Sequence, residues 1–193
     1  VEKVNSNQKN ILFNKVVSKL GTQLRGTKIA IWGLSFKPET DDMREAPSIN
    51  LVKSINKFGG VVNAYDPKAT NEAKFYLKNQ HVNYFDDKYS VLKNADVLVL
   101  VTEWKEFRSP NFNKILRLMK GNTIIDGRNQ YNSDFLKELG FNYYWQRVSR
   151  LPKKWSRERR FLCFSMRRLI RAIPPVSKLL YAASVVLPTT RIA

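Results

Sequence analysis

The chain predicts an α/β fold: a Rossmann-like parallel sheet with helices on both faces, preceded by one helix and followed by a basic tail, disordered or helical. Three observations carry this expectation. Short apolar runs recur through residues 28–144, separated by stretches with helical spacing. Val97, Leu98, Val99, Leu100 and Val101 are consecutive, as in a central parallel strand covered on both faces. Glycines close helical stretches, at Phe58-Gly59-Gly60 and at Leu139-Gly140.

The elements follow in order. Residues 5–20 read as a helix, with Ile11, Leu12, Val16, Val17 and Leu20 on one face and Gly21 as its stop. Ile29-Ala30-Ile31-Trp32 reads as a buried strand. Gly33 ends it, where the backbone must bend or let another group come close. A polar loop follows with Lys37, Arg44 and the acids Glu39, Asp41, Asp42 and Glu45, closed by Pro47-Ser48. Ile49, Leu51, Val52, Ile55 and Phe58 then give a helix, and residues 61–65 a second strand ended by Asp66-Pro67. Asp66 reads as a turn residue, because it lies too far from Gly33 to be the ribose acid of a dinucleotide fold. Residues 71–78 predict a short helix, 82–85 a strand and 89–93 a helical turn.

After the central run comes Thr102-Glu103-Trp104, read either as a packed tryptophan beside an exposed acid or as a ligand contact. Phe112, Ile115, Leu116 and Met119 give a helix, and residues 122–126 a strand ending in Asp126-Gly127-Arg128-Asn129. Phe135, Leu136 and Leu139 give a further helix and residues 141–144 a last strand. No internal repeat is visible.

A length of 193 residues suits one domain with an appendage. The formal charge of +18 is uneven: residues 145–193 carry +11, with Glu158 their single acid, and the remainder +7. Cys163 is the one cysteine, so no disulfide forms within the chain. His81, the one histidine, sits in a polar connection and reads as a surface residue, and no Cys/His cluster offers metal ligands. The first residues are too polar for a signal peptide, and no apolar run reaches the ~20 residues of a membrane span, so a cytoplasmic location is expected.

Lys37 and Arg44 stand beyond the carboxyl end of the first strand, where open α/β sheets bind ligands. Arg128 follows another strand, after a glycine that permits close approach. Three cations meeting on one rim suit a phosphate. The competing reading is a solvated loop whose acids pair with its own bases. Gly33 stands alone, so the loop is not the G-x-G-x-x-G fingerprint, and side chains must do more of the binding.

The run Gly33-Leu34-Ser35-Phe36-Lys37-Pro38-Glu39-Thr40-Asp41-Asp42-Met43-Arg44-Glu45-Ala46-Pro47-Ser48 resembles the start of the C-terminal domain in the UDP-glucose/GDP-mannose dehydrogenase family, and within it the UDP-glucose 6-dehydrogenases. The resemblance spans residues 1–144. It implies that Phe36, Lys37 and Arg128 contact a UDP-sugar and that Arg44 contacts NAD. It implies a four-electron oxidation of UDP-glucose to UDP-glucuronate with two NAD, through a cysteine thioester. The family's NAD fingerprint and its cysteine segment do not occur in this sequence, and Cys163 lacks the surrounding residues of that cysteine. The expectation is therefore a fragment that does not turn over alone, has no catalytic residue of its own, and needs the remaining portion as a separate chain. Residues 1–21 resemble the end of the central dimerisation helix, implying a homodimer through that helix. Residues 22–144 then form the UDP-sugar domain and 145–193 a tail.

The tail departs from the family. Arg157, Arg159, Arg160, Arg167, Arg168 and Arg171 interleave with Leu162, Met166, Leu169 and Ile173, as in a basic amphipathic helix. Such a helix binds anionic membrane or nucleic acid, which is the alternative function: a non-catalytic basic binding protein. The plainer expectation is the product of a shifted reading frame, poorly ordered.

Overall fold

The computed structural model describes residues 2–145. The chain divides into two units, 1–146 and 147–193, and the described residues lie in the first. The expectations for the basic tail and Cys163 fall outside the described residues.

Six strands form one parallel sheet: β1 (Lys28–Trp32), β2 (Val61–Tyr65), β3 (Val82–Tyr84), β4 (Val97–Leu100), β5 (Thr123–Asp126) and β6 (Asn142–Trp145). Their order is β3-β2-β1-β4-β5-β6. Register aligns Trp32 with Tyr65 on one side and with Leu100 on the other, and Leu100 with Asp126. The strands therefore end nearly level, and their following loops emerge on one rim. The connection from β3 to β4 crosses over β2 and β1, which makes the β1/β4 boundary the switch point where such sheets open a crevice.

Five α-helices cover the sheet: α1 (Glu2–Leu20), α2 (Pro47–Lys57), α3 (Thr70–Tyr76), α4 (Phe112–Leu118) and α5 (Ser133–Glu138). Side-chain alternation along the strands sorts the core into two layers. Ile29, Ile31, Val97 and Val99 pack with Leu12 and Val16 of α1, Leu51, Val52 and Ile55 of α2, and Ala73 of α3. Ala30, Trp32, Leu98 and Leu100 pack with Ile115 of α4 and Leu136 of α5. β1 and β4 are buried on both faces, which explains their unbroken apolar sequences.

The elements expected from sequence are all present, with shifts of up to three residues at their ends. Pro47 opens α2, where a missing N–H costs nothing. Asn111 and Asn132 cap α4 and α5 by accepting backbone N–H bonds. Gly21 and Gly59 take positive φ just past α1 and α2. A 3-10 turn at Lys105–Phe107 has no periodic signal in the sequence. It forms because Trp104 and Phe107 both sink into the second layer, where Phe107 stacks on Trp32 at 5.0 Å between ring centroids. His81 is exposed, as expected.

Gly121 shows how tightly the loops at the opposite edge pack. A Cβ there would lie 2.1 Å from the Asp96 carbonyl oxygen. Gly121→Ala is expected to lower stability by about 2 kcal/mol or more, read by urea denaturation, because backbone rather than a flexible side chain blocks the methyl.

Candidate functional site

The loop after β1 is held atom by atom. Gly33 turns the chain at φ +86°, and a Cβ there would lie 2.6 Å from Thr102 Cβ and 2.7 Å from its backbone nitrogen. The loop therefore leaves β1 pressed against the end of β4. The next three carbonyls are each caught by a different element. Ser48 Oγ, at the start of α2, donates to Leu34 O at 2.5 Å. Thr102 Oγ1, after β4, donates to Ser35 O at 2.5 Å. Arg128, after β5, approaches Phe36 O with a terminal nitrogen at 3.5 Å.

The amides of the same stretch are held by Asp66. Its carboxylate is buried at the end of β2. Oδ2 accepts from Leu34 N at 2.6 Å, Ser35 N at 3.1 Å, Ser35 Oγ at 3.2 Å and Trp104 Nε1 at 3.2 Å. Oδ1 accepts from Lys68 N and Ala69 N, which shapes the turn into α3. The turn role read from Asp66-Pro67 thus holds, but half of this carboxylate is spent on a loop more than thirty residues away. It is not placed to meet a ribose.

Asp126 does the same for the loop after β5. It is fully buried; Oδ1 accepts from Arg128 N at 2.7 Å, and Oδ2 accepts from Gln130 N and from Tyr143 Oη, both at 2.7 Å. Burial pushes the Tyr143 and Tyr131 hydroxyls well above the usual tyrosine range. Gly127 has no room for a side chain: a Cβ would sit 2.8 Å from Leu100 O and 3.0 Å from Leu12 of α1. So the glycine before Arg128 serves close packing beneath the rim.

These contacts bring Phe36, Lys37 and Arg128 to one rim, although 92 positions separate Phe36 from Arg128. Phe36 is 39% exposed, unusual for a phenylalanine in so ordered a loop. Lys37 Nζ stands 5.6 Å from its ring centroid. Among the described residues no carboxylate lies within ion-pair distance of Lys37. Arg128 is held from below: Nε donates to Val101 O at 2.7 Å and lies 2.8 Å from Glu103 Oε2. Of the two readings of Thr102-Glu103-Trp104, the tryptophan is packed, whereas the acid is paired with Arg128.

Arg44 behaves differently. Its Nε and Nη2 bond both oxygens of Asp42, at 3.0 and 2.9 Å, and its side chain is 78% exposed. Here the loop's acid pairs with the loop's own base, as one sequence reading had it. The Arg44 side-chain hydrogen bond and backbone N–H hold the Asp42 carboxyl down to about 2. Arg44 also lies within electrostatic reach of Tyr76 on α3, away from Arg128. Glu39, Glu45 and Asn129 all take positive φ in these two loops. Backbone strain of this kind collects at binding sites because surrounding contacts over-determine it.

The residues do not build a dinucleotide site. At the first strand-to-helix turn, Leu34 and Ser35 have amides and carbonyls already occupied by protein groups, and the bend at Gly33 is filled by Thr102. A pyrophosphate has no backbone to lie on there. Among the described residues no group of His, Cys, Asp and Glu is arranged to hold a metal, and no helix is long and apolar enough to cross a membrane. Sequence reasoning missed Ser48, Thr102 and Asp126 as supports, and the pairing of Glu103 with Arg128. The acids just after β2 and at the last position of β5 were the available signal, since Asp before Pro or Gly marks a backbone-binding turn.

Residues 30–133 match the family model described as UDP-glucose/GDP-mannose dehydrogenase family, UDP binding domain. A UDP-glucose 6-dehydrogenase of Pseudomonas aeruginosa is 42% identical over 147 residues, covering 74% of this chain and 32% of the relative. One from Rhizobium meliloti is 39% identical over 140 residues, covering 72% and 32%. The solved structure of a UDP-glucose dehydrogenase from Pyrobaculum islandicum superposes with a TM-score of 0.61 at 25% identity, covering 75% of this chain and 30% of that one. The chain spans about a third of the length of the curated relatives it matches.

Two outcomes test this geometry. Asp66→Ala should cost about 3 kcal/mol or more by denaturation, with faster amide exchange at Leu34 and Ser35, because it strands buried donors. For Asp42, a folded pKa below the ordinary 3.8 means the Arg44 clamp is complete above that value and is lost as pH falls through about 2. A carboxyl carbon NMR titration should find Asp42 near 2, returning toward 3.8 in Arg44→Ala.

Proposed function

Since this chain belongs to the UDP-glucose/GDP-mannose dehydrogenase family, we propose that it is the substrate-binding part of a UDP-glucose 6-dehydrogenase and that its rim holds the diphosphate of a UDP-sugar. The observation that carries this is the convergence of Phe36-Lys37 with Arg128 beside the switch point of the sheet. Arg128 offers a planar fork suited to phosphate oxygens, and Lys37 adds a point charge. The exposed ring of Phe36 offers an apolar face beside them. The interior side of the turn is filled by Asp66, Ser48 and Thr102, so the ligand lies outside it, against side chains.

The complete reaction is the oxidation of UDP-glucose by two NAD to UDP-glucuronate. NAD supplies the hydride acceptor. The described residues do not fit its main site, and we assign them no hydride step. Arg44, exposed and held by Asp42, would reach a cofactor bound by another part of the enzyme. We assign the thioester-forming cysteine to that other part as well, because Cys163 lies in sequence unlike its usual surroundings. Turnover then requires those elements, joined to this chain or supplied by a companion, and α1 is our candidate for the homodimer contact. We infer a cytoplasmic location, where both UDP-sugars and NAD are available.

Isothermal titration of the full chain with UDP should give saturable one-to-one binding. Arg128→Ala should weaken it at least roughly tenfold, and Lys37→Ala by about three- to tenfold. Arg44→Ala should leave UDP affinity within about twofold, since that side chain is engaged elsewhere. A folded chain that does not bind UDP would overturn the assignment.

A further inference from the structure

Arg128 is not simply an exposed cation. Of its five N–H donors, the one on Nε is directed into the protein and donates to Val101 O at 2.7 Å; Glu103 Oε2 lies 2.8 Å from the same nitrogen as an ion contact and accepts no hydrogen bond among the described residues. Its terminal Nη2 faces the Phe36 carbonyl across the rim at 3.5 Å. The guanidinium is therefore gripped at its inner edge and presents its outer end where the ligand would lie. Glu103 is placed to do this because Thr102 is pinned to Ser35 O and Trp104 to Asp66, which fixes the backbone on both sides of it. Both members of the pair are about one third exposed, so water competes with the contact.

We propose that Glu103 is a positioning residue for the phosphate-binding arginine: its carboxylate, in ion contact with Nε, keeps the guanidinium turned so that the terminal nitrogens meet a diphosphate beside Phe36. This rests on the proposed UDP site. Two opposing effects separate on removing Glu103. Loss of a nearby negative charge alone would tighten anion binding. Loss of the grip would let Arg128 swing, and ordering it again on binding costs affinity. Positioning is proposed to dominate, because a pre-oriented fork makes its bonds without that penalty.

The test is UDP titration of the full chain carrying Glu103→Ala, Glu103→Gln, Arg128→Ala and the Glu103→Ala/Arg128→Ala double substitution. Circular dichroism and thermal melting confirm that each variant is folded. Glu103→Ala is expected to weaken UDP roughly tenfold. Glu103→Gln, which keeps the length but removes the charge that makes the contact, should weaken UDP to a similar extent. In the Arg128→Ala background, Glu103→Ala should have no further effect, which a merely structural role would not produce. If both Glu103 variants bind more tightly, the residue is an electrostatic brake and positioning is overturned. If Glu103→Ala is silent while Arg128→Ala is weakened, positioning fails and the site stands. If the unsubstituted chain does not bind UDP, both readings fall. Should Glu103→Ala not fold, the comparison moves to Glu103→Asp, which keeps the charge and shortens the reach; unchanged affinity there would overturn the proposal.

Discussion

A single buried carboxylate governs the rim. Asp66 ends β2, yet its Oδ2 sits under the turn that follows β1, where it accepts from two successive amides, a serine hydroxyl and an indole N–H. A carboxylate so surrounded is stable only if all its donors arrive together, and each donor would be stranded without it. The constraint is mutual. It places Leu34 and Ser35 to within hydrogen-bond tolerance, and so decides where Phe36 and Lys37 emerge.

Asp126 repeats the device three strands further along, on the other side of the switch point. It holds the amides of residues 128, 130 and 131, and the hydroxyl of Tyr143 closes it from the edge strand. Two interior acids therefore shape the two loops that carry Lys37 and Arg128. The backbone is bent to match, with positive φ at Glu39, Glu45 and Asn129. Such conformations persist because the dense bonding on either side leaves the chain no easier path. Small residues finish the fit: Gly33 against Thr102 and Gly127 against Leu100 and Leu12. Through Leu12, α1 is part of the floor beneath Arg128. Lys15 of α1 also feels Asp126, although burial has the larger effect and lowers its pKa.

This arrangement divides the charges by depth. Acids at strand ends face inward and spend their lone pairs on backbone. Acids within the loops face outward and engage cations: Asp42 with Arg44, and Glu103 with Arg128. Lys37 stays outside both pairs, beside an exposed aromatic ring. Net charge says little about such a rim, because each charged residue acts through its placement.

The order of strands and helices was legible in the sequence by itself, because apolar periodicity and glycine stops act over a few residues. The consecutive Val97-Leu98-Val99-Leu100 likewise marked a strand covered on both faces, since burial on two sides needs apolar residues at every position. The run from Gly33 to Ser48 marked a long polar loop beyond a strand's carboxyl end, and its ordered polar residues carried the family. Only the tertiary structure decided what those residues touch. The approach of Arg128 to Phe36 and the grip of Asp66 on Leu34 join loops that meet in space and are distant in the chain. Local pattern carries no record of such pairings. They follow from the crossover that sets β4 beside β1, and from carboxylates whose partners exist only once the sheet has closed.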